Sequence, residues 1–325
     1  MRKHYTFLVL LFTVFISNAQ IVNIPDANFK AKLVAASFSN AIARNATGQN
    51  IKIDINDDGE IQESEANEIY QLNVSSSSIQ SLTGIEAFSN LINLNCSSNQ
   101  LTSLDVTQNI ALISLTCHTN QLTSLNVTQN TALTDFYCDN NQLTSLDVSQ
   151  NSALIILYCS SNQLTNLNVV QNILLENLNC AGNQLTSIDV TQNLVLITLT
   201  VSNNPLTSLD ITHNSLLSSL SCVNNQLSNL DITQNTFLHY LNCNDNQLSN
   251  LDITQNINLN SLRCESNQLT TLDVTKNTVL TTLNCSNNDL VTLLLKNKYV
   301  IWLILILAII HTFNMFVEMM NLWLI

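Results

Sequence analysis

The sequence predicts a repeat solenoid with a parallel β-sheet on its inner face, short 3₁₀ or extended segments on its outer side, and a small helical cap at its N-terminal end. Three observations carry this. From Leu91 the chain can be written in ten lines of twenty-one residues that reach Val300, within each line one short stretch alternates apolar and polar residues, and all nine Cys fall in one column of the alignment. A unit this short cannot hide its own apolar face, so successive units must stack and share one interior.

The lines start at Leu91, Leu112, Leu133, Leu154, Leu175, Leu196, Leu217, Leu238, Leu259 and Leu280, and a looser unit, Ile69 to Asn90, precedes them with Leu72, Val74, Ile79 and Leu82 in matching places. The alternation is seen in Asn93-Leu94-Asn95-Cys96-Ser97, which buries one face of a strand and wets the other. About eleven coils at roughly 4.8 Å each give an inner face of roughly 50 Å. The rest of each line, with its Thr, Val, Asn and Asp, is too short and too rich in β-branched and capping residues for a long helix. Only four Gly and two Pro are present, so Asn must do the turning. Asn in the ninth place of each line (Asn99, Asn120, Asn141, Asn162, Asn183, Asn204, Asn225, Asn246, Asn267, Asn288) is expected to be buried, giving a donor and an acceptor to backbone that bends away from the sheet.

The Cys column (Cys96, Cys117, Cys138, Cys159, Cys180, Cys222, Cys243, Cys264, Cys285) accepts Val201 in its remaining place, so these thiols are expected to pack as small free hydrophobes. Stacked thiols on parallel strands do not converge tetrahedrally on a metal and rarely give a disulfide dihedral. The fifteenth place holds Asp105, Asp147, Asp189, Asp210, Asp231, Asp252 and Asp273, with Asn126 and Asn168 interrupting, and caps of the outer turn are the expected role.

The line L-x-x-L-x-C-x-x-N-Q-L resembles the leucine-rich-repeat signature with Cys for its third Leu, over residues 69–295, and is most similar to the internalin-like repeats of secreted bacterial proteins. That resemblance implies a curved right-handed coil that binds through the wet positions of its inner sheet. The expected function is an exported, secreted or cell-surface binding and adhesion scaffold for a protein or glycan; the alternative is a passive spacer or a truncated product. Two groups of inner-face residues stand out: Asp135, Tyr137, Asp139, Ile156 and Tyr158 on adjacent coils, and Tyr240, Arg263 and Glu265 further along. Aromatic and Arg side chains are the types enriched at binding hot spots.

Ahead of the coils, residues 20–68 form the expected cap. Within it, Asp54 to Glu65 satisfies D-x-[DN]-x-[DN]-G-x₅-E and looks like an EF-hand-type calcium loop. In that likeness Asp54, Asn56 and Asp58 give side-chain oxygens, Glu60 its carbonyl, Gln62 a water-mediated contact and Glu65 a bidentate carboxylate, with Gly59 at the bend. No entering helix is expected over Ala46–Asn50; an exiting helix fits Ser64 to Tyr70. A further helix is expected from about Pro25 to Ala36, with Pro25 and Asp26 in its first turn.

Arg2 and Lys3 before the apolar run Phe7 to Ile16 and the step Ser17-Asn18-Ala19 read as a secretory signal over residues 1–19. Its removal would lower Lys+Arg from 10 to 8 against 23 Asp+Glu, a net charge of −15. So acidic a chain lacks the cationic face that nucleic acid requires. Residues 296–325 form a hydrophobic tail. Tyr299 to Val317 is uncharged and about long enough to span a bilayer, yet Lys296 and Lys298 lie on the exported side, against the usual charge rule. A transmembrane anchor and a frameshift product are both open, and a membrane enters only with the former. His118, His213 and His239 stand in different columns with no nucleophile arranged around them, so no enzyme is expected.

Overall fold

A computed structural model describes residues 20–295 of the chain. The signal segment 1–19 and the tail 296–325, with the cleavage, anchor and frameshift expectations attached to them, lie outside the described residues. Among the described residues, no helix is long and apolar enough to cross a membrane.

One three-residue strand per coil builds the inner sheet: β2 (Gln71–Asn73), β3 (Asn93–Asn95), β4 (Ser114–Thr116), β5 (Asp135–Tyr137), β6 (Ile156–Tyr158), β7 (Asn177–Asn179), β8 (Thr198–Thr200), β9 (Ser219–Ser221), β10 (Tyr240–Asn242), β11 (Ser261–Arg263) and β13 (Thr282–Asn284). These pair in parallel and in strict register, Leu94 on Leu115, Leu115 on Phe136 and Phe136 on Leu157. A cap strand, β1 (Ala43–Arg44), closes the N-terminal edge by antiparallel pairing with β2. On the outer side the chain runs mostly through turns; the expected 3₁₀ backbone occurs at Ile85–Ala87, and extended pairing at β12 (Thr271–Asp273) with β14 (Thr292–Leu294).

Register turns the sequence columns into columns of the interior. Leu115, Cys117, Leu122 and Val127 are fully buried, as are their equivalents through most of the solenoid, so each coil contributes to one continuous core. At roughly 25 cal/mol per Å² of apolar surface, this shared burial is the dominant stabilising contribution. All nine Cys are free, eight of them buried and Cys285 partly so. Burial pushes the Cys96, Cys180 and Cys222 thiols up to about 12, which keeps them protonated and unreactive.

The ninth-place Asn side chains tie each coil to its predecessor. Asn183 Nδ2 donates to the Cys159 carbonyl of the preceding coil (3.1 Å) and to Cys180 in its own (3.0 Å), while its Oδ1 accepts from Leu164 N–H (3.0 Å). A second Asn column, in the nineteenth place, is buried still more completely. Asn193 Nδ2 donates to the carbonyls of Val169 (3.0 Å) and Asn172 (2.8 Å). Its Oδ1 has no hydrogen-bond partner, and the same is true of its equivalents from Asn109 to Asn277. Between strand and ninth-place Asn the backbone turns through the left-handed region, with φ 55° at Asn140, 64° at Gly182 and 56° at Thr119.

The cap departs from expectation at two boundaries. Helix α1 spans Ala27–Val34, not Pro25–Ala36, because Asp26 is its N-cap and accepts from Asn28 and Phe29 N–H. The other oxygen of Asp26 accepts from Gln80 (2.7 Å) and Ser81 (2.9 Å) N–H, clamping the cap onto the first coil. Burial opposes ionisation of Asp26, but these four donors together hold its carboxyl below the ordinary value. Helix α2 is a single turn, Glu63–Ala66, and the expected run to Tyr70 is cut short because Ile69 is drawn into the core and β2 begins at Gln71.

Candidate functional site

Outward-pointing positions of β5 and β6 bring the first expected group together. In-register pairing sets Asp135 beside Ile156 and Tyr137 beside Tyr158, while Phe136 and Leu157 between them point into the core and fix both strands. The Tyr137 and Tyr158 rings meet edge to face, with centroids 5.3 Å apart and planes at 81°. All five residues, Asp135, Tyr137, Asp139, Ile156 and Tyr158, are partly exposed. Burial, then the Asp135 carboxylate, then Tyr158, push the Tyr137 hydroxyl up from its ordinary value, so it remains a neutral donor. Asp135 accepts from Thr134 Oγ1 (2.6 Å), and Asp139 from Asn140 Nδ2 (2.7 Å).

The second group is separate. Tyr240 on β10 pairs with Ser261 and Arg263 on β11 with Asn242, so Tyr240 and Arg263 are diagonal neighbours. Four strand steps, about 19 Å, part Tyr240 from Tyr158, and Arg263 lies one step further. A third feature was invisible to the repeat pattern. Where β1 meets the sheet, a shallow cavity of about 210 Å³ is lined by Arg44, Gln71, Asn73, Asn95 and Thr116 among others. Arg44 comes from the cap, and no column could have placed it there.

The outer Asp column is spent on its own turns. Asp189 Oδ1 accepts from Thr191 N–H (2.9 Å) and Thr191 Oγ1 (2.7 Å), and Asp105, Asp210, Asp231 and Asp252 do the same two residues on. Hydrogen bonding from Thr191 holds Asp189 below the ordinary carboxylate value.

Asp54 to Glu65 folds into a tight acidic loop, with Asp57 (φ 61°) and Gly59 (φ 79°) in the left-handed region. Asp54 accepts from the N–H groups of Asp58 (3.1 Å) and Gly59 (3.0 Å), and Glu65 reaches across to those of Ile55 (2.8 Å) and Gln62 (3.0 Å). Asp58, held below its ordinary value by the Glu60 N–H, also accepts from the side-chain amides of Asn56 (2.9 Å) and Gln62 (2.9 Å). Lys30 pairs with the Glu60 carboxylate, leaving that residue its carbonyl as a possible ligand. The donor set is hard oxygen on one bend, the chemistry calcium takes. Two features qualify the fit: among the described residues no three acidic, imidazole or thiol side chains converge as a ready metal cluster, and the Asn56 and Gln62 amides would have to rotate to offer oxygen.

Of the three His among the described residues, His118 and His213 contact the adjacent Thr119 and Thr212, and His239 contacts Ser218 Oγ at 3.2 Å. That exposed Ser218–His239 pair has no carboxylate hydrogen-bonded to the imidazole among the described residues.

No protein-family model and no curated protein sequence matches the chain. Among solved structures, the chain is similar to the functional domain of InlJ from Listeria monocytogenes, a structure described as including a cysteine ladder. It is 37% identical, with a TM-score of 0.74, covering 85% of this chain and 61% of that one. The fold is a leucine-rich-repeat solenoid. The solenoid is likewise similar to the internalin inlF of Listeria monocytogenes (21% identity, 86% and 92% coverage, TM-score 0.63) and to the leucine-rich-repeat protein LIC12759 of Leptospira interrogans (24%, 72% and 80%, 0.59). The chain spans about three fifths of the InlJ domain it matches.

Proposed function

We propose that the chain is an exported recognition scaffold that binds a protein ligand on its concave sheet, with the Tyr137–Tyr158 pair as the anchor. The observation that carries this reading is the aromatic pair itself: two large, partly exposed rings in contact on a row otherwise made of Asn, Ser, Thr and the distant Arg263. Paired Tyr side chains on rigid strands bring contact area at little entropic cost, because each loses only two torsions on binding. The 37% identity to an internalin domain supports the same class of role, and a glycan partner remains the neighbouring alternative.

In this reading the Asp54–Glu65 loop takes up calcium and stiffens the cap. Asp54, Asn56, Asp58, Gln62 and Glu65 would hold the ion with the Glu60 carbonyl, and the ion would offset repulsion among carboxylates in a strongly acidic chain. Calorimetric titration with calcium should give one site that Glu65→Gln abolishes; identical heats for both proteins would remove the metal from the model of function.

A protein and glycan array tests the scaffold. Tyr137→Ala with Tyr158→Ala should lose the protein hits while keeping the parent's circular dichroism and melting curve. Undiminished hits would move the site elsewhere, and a parent chain that binds nothing would favour the passive spacer.

A further inference from the structure

We infer that the Tyr137–Tyr158 site accepts a cationic protein segment, with a Lys or Arg side chain seated against the two rings and the Asp135 and Asp139 carboxylates. The inference rests on reading the concave sheet as the binding face and narrows what that face accepts. Its first support is a charge pattern running the length of the solenoid: between Lys52 and Arg263 the chain contains no Lys or Arg. Over the same stretch the sheet side carries Asp135 and Asp139. The ion pairs among the described residues, Lys30 with Glu60 and Lys52 with Asp57, are both in the cap. Among the described residues Asp135 and Asp139 therefore have no ion-pair partner, which leaves them open to a cation that a partner brings.

The second support is local geometry. Asp135, Tyr137 and Asp139 alternate along one strand direction and face the same way, with neighbours on that face about 6.6 Å apart. Each carboxylate uses one oxygen on a neighbouring Thr or Asn side chain, Oδ2 in both cases, and its Oδ1 has no donor among the described residues. The near-perpendicular rings make a corner and not a flat plate. A guanidinium or ammonium in that corner is attracted by the ring quadrupole and by both carboxylates, whereas an acidic segment is repelled and a neutral one gains nothing from the charges. The outer Asp row serves as the control: its carboxylates each accept one or two bonds from their own turn, on Oδ1, and stand in a different column from the Tyr pair.

The test uses the whole exported chain and three fluorescent ten-residue peptides built on Arg-Ser, Gln-Ser and Glu-Ser repeats, read by anisotropy at low and high salt. The Arg-Ser peptide alone should bind, weakening about tenfold at high salt, where the Debye length falls to a few ångströms. Asp135→Asn with Asp139→Asn should weaken it about tenfold, and Asp189→Asn with Asp210→Asn on the outer row should change it less than about twofold. Equal losses from the two double variants, equal binding of the three peptides, or binding of none would each overturn the inference. If a protein hit from the array is lost with the Tyr variants but indifferent to Asp135→Asn with Asp139→Asn, the concave binding reading stands and the cationic one falls.

Discussion

The inner and outer turns of each coil face one problem, backbone groups that leave a sheet ladder, and solve it with different chemistry. At the inner turn a neutral amide is buried and shared: Asn183 satisfies groups on Leu164 and Cys159 of one coil and Cys180 of the next. At the outer turn an exposed carboxylate serves only its own coil, as Asp189 does with Thr191. The amide must sit where it can both donate and accept, which Asp cannot do when ionised. The outer cap needs only acceptance, so Asn126 and Asn168 substitute there freely. Cohesion between coils is therefore independent of charge, while the outer turns depend on ionised carboxylates.

The largest expected effect follows from the shared amide. Asn183→Ala strands the Leu164 N–H in the interior and leaves the Cys159 and Cys180 carbonyls with the Asn162 and Asn204 amides alone, and should cost about 2 to 3 kcal/mol by thermal melting; an unchanged transition would erase the distinction between the two turns. Asn193→Ala should cost less, about 1 to 2 kcal/mol. It loses two donated bonds but also removes an oxygen that has no partner.

The pH dependence separates the turns next. Thr254 and Thr233 N–H groups hold Asp252 and Asp231 below their ordinary value of 3.8, so their contribution is fully present above that value and is lost as pH falls through the lowered folded values. Asp231→Asn with Asp252→Asn should leave the melt at neutral pH nearly unchanged and shrink the loss below pH 3.8; an unaltered acid profile would show that these caps contribute nothing. The smallest effect is a gain. Thr119 is a β-branched residue at φ 56°, where its neighbours in the column are Ser, Asn, Asp or Gly. Thr119→Asn should raise stability by about 0.5 to 1 kcal/mol in a denaturant titration, by relieving left-handed strain.

Much of this was legible from the repeat alone. The Leu and Cys columns, the ninth-place Asn, the outer Asp caps and the contact between Tyr137 and Tyr158 all follow from a fixed period, because register carries position in a line directly into position in space. The nineteenth-place Asn is equally regular, but its role depends on carbonyls of the preceding coil that only the stacked structure brings to it, as Val169 and Asn172 are brought to Asn193. What the period could not show came from outside it. Asp26 clamps onto Gln80 and Ser81 across more than fifty residues, and Arg44 reaches the sheet through a cap strand of two residues. The cap helices are shorter than their sequence predicts because propensity extends a helix until specific contacts, here Asp26 as N-cap and Ile69 in the core, end it.

A single interior assembled in steps of twenty-one residues is tested most directly by deletion. Removing residues 175–195, one whole coil, rejoins every column in register and should give a protein with the same sheet signal per residue and one cooperative melt. Removing only residues 175–184 throws every later column out of register and should leave the C-terminal half without a cooperative transition. Equal tolerance of the two deletions, or collapse of both, would contradict a core shared coil by coil.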